Sequence, residues 1–184
     1  MQVHLPWTKG GEMMSEYALA VDIGASNGRL MLGELNQGQL LLEEIHRFDN
    51  RMLEHDNHLY WDLSKLFAEI KEGIRKCVSR GIKPATIGID TWAVDFVLLD
   101  EKDELLTDAV AYRDPRTNGM MEKVLTMIDR TELYAKTGIQ FQKFNTIYQL
   151  IALKQNSPDT LAKAKTFLMI PDYLNFFADG KKGK

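Results

Sequence analysis

A single cysteine, Cys77, occurs in 184 residues, which excludes an internal disulfide and suits a reducing compartment. It falls at an apolar position of helical spacing, so it reads as buried filler. No apolar run approaches the roughly 18 residues that span a bilayer. Histidine is scarce as well, with only His4, His46, His55 and His58, and these show no zinc-ligand spacing. Excess charge of one sign is also lacking, since 23 Lys and Arg face 26 Asp and Glu. A net charge of −3 gives no reason to expect nucleic acid or a membrane as partner. Repeats, low-complexity tracts and linkers are missing too, so one sizeable core is expected at this length. Residues 1–16 have neither periodicity nor the apolar stretch of a signal peptide. They read as a disordered extension, with Met14 a natural first residue.

Against these absences, residues 18–35 stand out. An apolar run reaches Asp22, the small turn Gly24-Ala-Ser-Asn-Gly28 follows, and a second apolar run begins after Arg29. The pattern is strand, tight loop, strand. Gly24 and Gly28 allow backbone angles that let successive N–H groups converge on an anion. Ser26 and Asn27 add short donors, and Arg29 adds a guanidinium fork suited to phosphate. Asp22, at the strand end, suits Mg²⁺ held through water. A plain hairpin closed by a small polar turn fits the same residues. A Walker loop or a dinucleotide fingerprint does not, because both need a helix directly after the glycines.

Further along, a three-stranded antiparallel meander is expected over residues 18–48, turning at 36–39. Residues 49–60 read as loop. Asp62 caps a helix to Arg80, whose Leu63, Leu66, Phe67, Ile70, Ile74, Cys77 and Val78 form one apolar stripe; Gly81 ends it. Residues 86–90 read as a short buried strand, and the strand–helix–strand order implies parallel pairing with the first strand. Residues 91–95 then lie beside the Asp22 loop, at the strand ends where α/β sheets gather ligands. There Trp92 and Asp95 suit the C–H face and hydroxyls of a sugar, or else cap the core and a turn. Arg113 and Asp114 reach the same cleft or pair with each other. The remainder reads as an apolar strand at 96–99, a short strand at 109–112 and a helix opened by Pro115 that runs through Val124. A short helix closed by Gly138, helices opened by Asn145 and Pro158, a strand at 167–170 and a helical turn or two at 171–177 complete it.

Several of these stretches together resemble one family. They are Asp22-Ile-Gly-Ala-Ser-Asn-Gly-Arg29, Ile45-His-Arg-Phe48, Ile87-Gly-Ile-Asp-Thr-Trp-Ala-Val-Asp-Phe-Val-Leu-Leu-Asp100, Ala111-Tyr-Arg-Asp-Pro-Arg-Thr-Asn-Gly119, Gly138-Ile-Gln-Phe141, Phe144-Asn-Thr146 and Pro171-Asp-Tyr173. They are similar to the N-terminal domain of the FGGY carbohydrate kinases, and within them to the rhamnulokinase group. The resemblance implies an α/β fold of the actin-like ATPase (ribonuclease H-like) type, a mixed sheet with helices on both faces. It also implies ATP and Mg²⁺ as cofactors, and transfer of the γ-phosphate to the 1-hydroxyl of L-rhamnulose in the cytoplasm.

By position, Ala25, Ser26, Asn27, Gly28 and Arg29 match the family's ATP phosphate loop, and Asp22 its Mg²⁺-associated aspartate. Ala93 stands where the family carries a substrate-binding glycine; Trp92 and Asp95 flank it, and Arg113 is expected at the same substrate site. An alanine there requires a conventional backbone angle. The family's general base belongs to a later motif, so none of Asp22, Asp90 or Asp95 takes that role. Residues 17–184 are therefore expected to be the first of two domains, inactive alone and self-associating through the surface that faces the second. A non-catalytic sugar-binding or regulatory module, and a kinase for another deoxyketose such as fuculose, are the alternatives.

Overall fold

Alternation of large and small side chains decides how the central sheet sits. In a computed structural model, which describes residues 16–36 and 38–179, β1 (Glu16–Ile23) buries Leu19, Val21 and Ile23. Ala18, Ala20 and Asp22 line the opposite face. Of the extension expected at residues 1–16, residue 16 instead begins β1 and residues 1–15 lie outside the described residues. β2 (Asn27–Asn36) and β3 (Gln39–Asp49) complete the expected antiparallel meander.

The stretch after it is not the expected loop. It forms a hairpin, β4 (Met52–His55) and β5 (His58–Trp61). Asp56 and Asn57 close it at φ 51° and 60°, the left-handed pair that a two-residue turn demands and these residues tolerate. Four-residue strands are too short for a period to show in the sequence.

Helix α1 (Leu63–Ser79) forms where its stripe requires, with the Asp62 side chain accepting from the Lys65 N–H at 2.8 Å. It lies close against β2, since a Cβ on Gly73 would sit 2.3 Å from Leu30 Cδ2. Cys77 is fully buried among core residues, and burial pushes its thiol up. β6 (Thr86–Thr91) then pairs in parallel with β1, giving the order β3–β2–β1–β6. It is not buried as expected; only Ile89 and Thr91 are half-buried, because β6 is an edge strand of that sheet.

β7 (Phe96–Leu99), β8 (Ala109–Val110), the helices α2 (Met120–Leu125), α3 (Arg130–Thr137), α4 (Thr146–Asn156) and α5 (Pro158–Lys163), and β9 (Thr166–Met169) follow. β8 extends the β4–β5 hairpin and β7 pairs with β9. The helix expected from Pro115 to Val124 is broken into a 3-10 turn, Pro115–Thr117, and α2, because Gly119 stands between them at φ 76°. α6 (Ile170–Asp179) is longer than the turn or two expected.

The expected α/β class with a mixed sheet is therefore present. Among the described residues α1 and α6 pack on one face, through Leu66, Ile70 and Leu174. The other face is an open groove of 610 Å³ over Ala18, Ala20, Gly33, Leu42 and Gly88. No described helix is long and apolar enough to cross a membrane.

Candidate functional site

Pairing in register sets one charged residue from each strand in a row at the sheet's end. The row runs Asp90, Asp22, Arg29, Arg47 across β6, β1, β2 and β3. Arg29 grips Asp22 Oδ2 from Nε at 2.9 Å and from Nη2 at 2.8 Å. Arg47 donates to Asn27 Oδ1 at 3.2 Å. Among the described residues no group of three or more His, Cys, Asp or Glu is placed to hold a metal ion.

The tip between β1 and β2 is tied down by a residue the sequence did not reveal. Asn50, 4% exposed, donates its side-chain amide to Gly24 O at 2.9 Å and its N–H to Ser26 O at 3.0 Å. Two carbonyls that would repel an anion are thus occupied. Ser26, Asn27 and Arg29 are exposed, and Ala25 packs on the core. The glycines act differently from expectation: neither Gly24 nor Gly28 takes a left-handed angle. Gly28 supplies room instead, since a Cβ there would lie 2.2 Å from Phe48 Cζ.

Beside this tip, at the end of β6, Ala93 is exposed and Trp92 half-buried. Asp95, considered for a sugar hydroxyl, is fully buried with both oxygens engaged. Oδ2 accepts from the indole N–H of Trp61 at 2.6 Å, that of Trp92 at 2.9 Å and the Tyr112 N–H at 3.0 Å. Oδ1 accepts from Gln149 Nε2 at 2.9 Å. Burial pushes this carboxyl up, and the four N–H donors pull against it. The left-handed angle of the loop falls on Val94, at φ 74°, and Ala93 keeps an ordinary one.

Aromatic rings line the same end. Trp61 and Trp92 lie 4.1 Å apart, and Tyr112 meets Phe144 edge to face at 5.5 Å. The exposed Arg113 lies over the Tyr112 ring at 5.4 Å. It does not pair with Asp114, which is buried and accepts from His58 Nδ1, the Leu59 N–H and the Arg116 N–H at 3.0, 2.8 and 2.9 Å. Tyr112, Phe144, Arg116 and Gln149 went unassigned in the sequence. The runs Ala111 to Gly119 and Phe144 to Thr146 carried a signal for the first three, and nothing marked Gln149.

A profile of the N-terminal domain of the FGGY carbohydrate kinases matches residues 17–182. The chain belongs to the FGGY family of carbohydrate kinases. The rhamnulokinase of Oceanobacillus iheyensis is 59% identical to it over 169 residues, 92% of this chain and 36% of that protein. That of Halalkalibacterium halodurans is 60% identical over 166 residues, 90% of this chain and 35% of its own length. The chain thus spans about a third of the length of the curated relatives it matches. Gluconate kinase from Lactobacillus acidophilus superposes with a TM-score of 0.78 at 21% identity, covering 92% of this chain and 34% of that one. Xylulose kinase from the same organism gives 0.77 at 21% identity, covering 91% and 34%. The fold is accordingly that of the FGGY kinases, actin-like. In this FGGY chain the parallel register Asp22 to Asp90 and Ile23 to Thr91 holds the two loops side by side.

Proposed function

We propose that this FGGY chain is the sugar-side, N-terminal part of an ATP-dependent kinase that phosphorylates the 1-hydroxyl of L-rhamnulose. One observation carries the reading: the parallel β1–β6 register sets an arginine-flanked tip beside a loop with an aromatic wall. The rhamnulokinase names of the relatives support the choice of sugar. Ser26, Asn27 and Arg29 would hold phosphate oxygens, with Arg47 as a second guanidinium nearby. Exposed Ala93 would meet the sugar through its backbone, and the rings of Trp92 and Tyr112 would face its C–H groups.

The residues at the row fit Mg²⁺. Asp22 is a half-exposed carboxylate with Asp90 beside it, and proteins commonly hold Mg²⁺ by one or two carboxylates plus substrate phosphates. Arg29 would then exchange Asp22 for phosphate. Bound Mg²⁺ would neutralise charge on the transferring group. Asp22 and Asp90 stand at the phosphate end and both oxygens of Asp95 are engaged; that the general base belongs to a later motif is what the family resemblance implies. Residues 17–184 act as one domain of a longer cytoplasmic kinase, and the chain alone does not turn over.

Trp92 is half-buried at the loop after β6 with the buried Trp61 packed 4.1 Å from it, so a titration with L-rhamnulose followed by tryptophan fluorescence tests the reading. A saturable change is expected, and its absence overturns the sugar assignment. Rhamnulose-dependent ADP formation by the chain alone at kinase-like rates of roughly 1–100 s⁻¹ would overturn the assignment of the base.

A further inference from the structure

Gln149 is fully buried on α4 and touches each segment of the proposed sugar site. Its Nε2 donates to Asp95 Oδ1 at 2.9 Å, to Phe144 O at 2.9 Å and more loosely to Val94 O at 3.3 Å. Its Oε1 accepts from Arg116 Nη2 at 2.6 Å. The amide has one workable orientation. Arg116 can only donate and the Asp95 carboxylate can only accept, so turning it over would set like against like on both sides. One side chain therefore ties the loop after β6 to the loop before α4 and to the 3-10 turn.

Val94 shows what that junction holds. A β-branched residue at φ 74° is an outlier that persists only where its surroundings impose it. Two donors from the start of α4 fasten its carbonyl: Thr146 Oγ1 at 2.8 Å and Gln149 Nε2. Asp95, the next residue, is fastened by the same amide and by the Trp92 indole. Released, the backbone at Val94 would relax, and exposed Ala93 and Trp92 on its N-terminal side would move with it.

We infer that Gln149 is a positioning residue: it holds residues 92–95 in the strained conformation that presents Ala93 and Trp92 to the sugar. The sugar contact rests on the ketose-kinase reading, whereas the hold on the loop does not.

Gln149→Leu keeps the side-chain volume and removes the amide. In the 184-residue chain, with native circular dichroism, the Trp92 indole N–H is expected to exchange with solvent at least about tenfold faster. L-Rhamnulose affinity is expected to fall by at least about tenfold, equivalent to 1.4 kcal/mol. Where the leucine variant does not fold, Gln149→Asn keeps a polar group in the core but cannot span Asp95 and Arg116 together, and the same two losses are expected. Adding Val94→Gly supplies a residue at home at that angle, so protection and affinity should return at least in part. A general packing defect would not be repaired that way.

A folded Gln149 variant with wild-type exchange and affinity overturns the inference. So does a double variant as impaired as the single one. If the wild-type chain binds no L-rhamnulose, the ketose reading falls, and indole exchange alone decides for or against Gln149.

Discussion

At Asp95 a carboxylate is buried with no cation in contact among the described residues, and N–H groups make that tolerable. An uncompensated buried charge costs several kcal/mol, and the four donors from Trp61, Trp92, Tyr112 and Gln149 offset much of it. Burial still raises this carboxyl. Between the ordinary value of about 3.9 and the raised one, the folded chain binds more protons than the unfolded chain. Stability from this group therefore falls as pH rises through that window and is level above it. Asp100 and Asp129 pull the other way, because backbone N–H bonds hold them below their ordinary range. The difference between wild type and Asp95→Asn in urea unfolding across the window isolates Asp95, and that difference should carry the slope. At neutral pH the variant should be less stable by about 1–3 kcal/mol. Its amide N–H would face Gln149 Nε2, donor against donor, and turning Gln149 would transfer the conflict to Arg116.

Among the elements, α1 and the β1–β2 tip both depend on glycines that make room rather than turns. Gly73→Ala would drive a methyl into Leu30, which is fully buried and has nowhere to go. A loss of about 1–3 kcal/mol is expected, read by urea unfolding. Gly88 on β6 is the contrast, with nothing within 4 Å of an added Cβ and no left-handed angle. Gly88→Ala should be neutral or stabilising by up to about 1 kcal/mol. Helix α1 was legible because seventeen residues carry a full apolar stripe and an aspartate cap. The β4–β5 hairpin was not, because its pattern is spread over two four-residue strands. The break at Gly119 was missed because a single left-handed residue leaves the apolar spacing on either side intact.

For the whole molecule, the consequential feature is the open sheet face. Leu40 and Leu42 on β3 are 64% and 65% exposed beside its groove, an apolar surface of the kind that drives association. The chain is therefore expected to self-associate with rising concentration in sedimentation velocity. Leu40→Lys with Leu42→Lys should reduce association while leaving the unfolding midpoint nearly unchanged, since neither side chain is in the core. Association unaffected by that pair would place the contact elsewhere.

The sequence by itself determined the α/β class, the meander, α1 with both of its ends and the adjacency of the Asp22 loop to residues 91–95. Those follow from local periodicity, from capping residues and from the handedness of a crossover, all of which lie within short stretches of chain. The family resemblance was legible for the same reason, because its motifs are contiguous runs. Tertiary structure alone decided that Asp95 faces inward, that Asn50 supports the phosphate-type tip and that Val94 bears the strained angle. It also decided that Gln149 joins the loops. The Trp61 and Gln149 bonds to Asp95 link residues 34 and 54 positions apart. Hydrogen bonds over such separations leave no periodic trace, and the geometry that makes them appears only when β5, β6 and α4 converge.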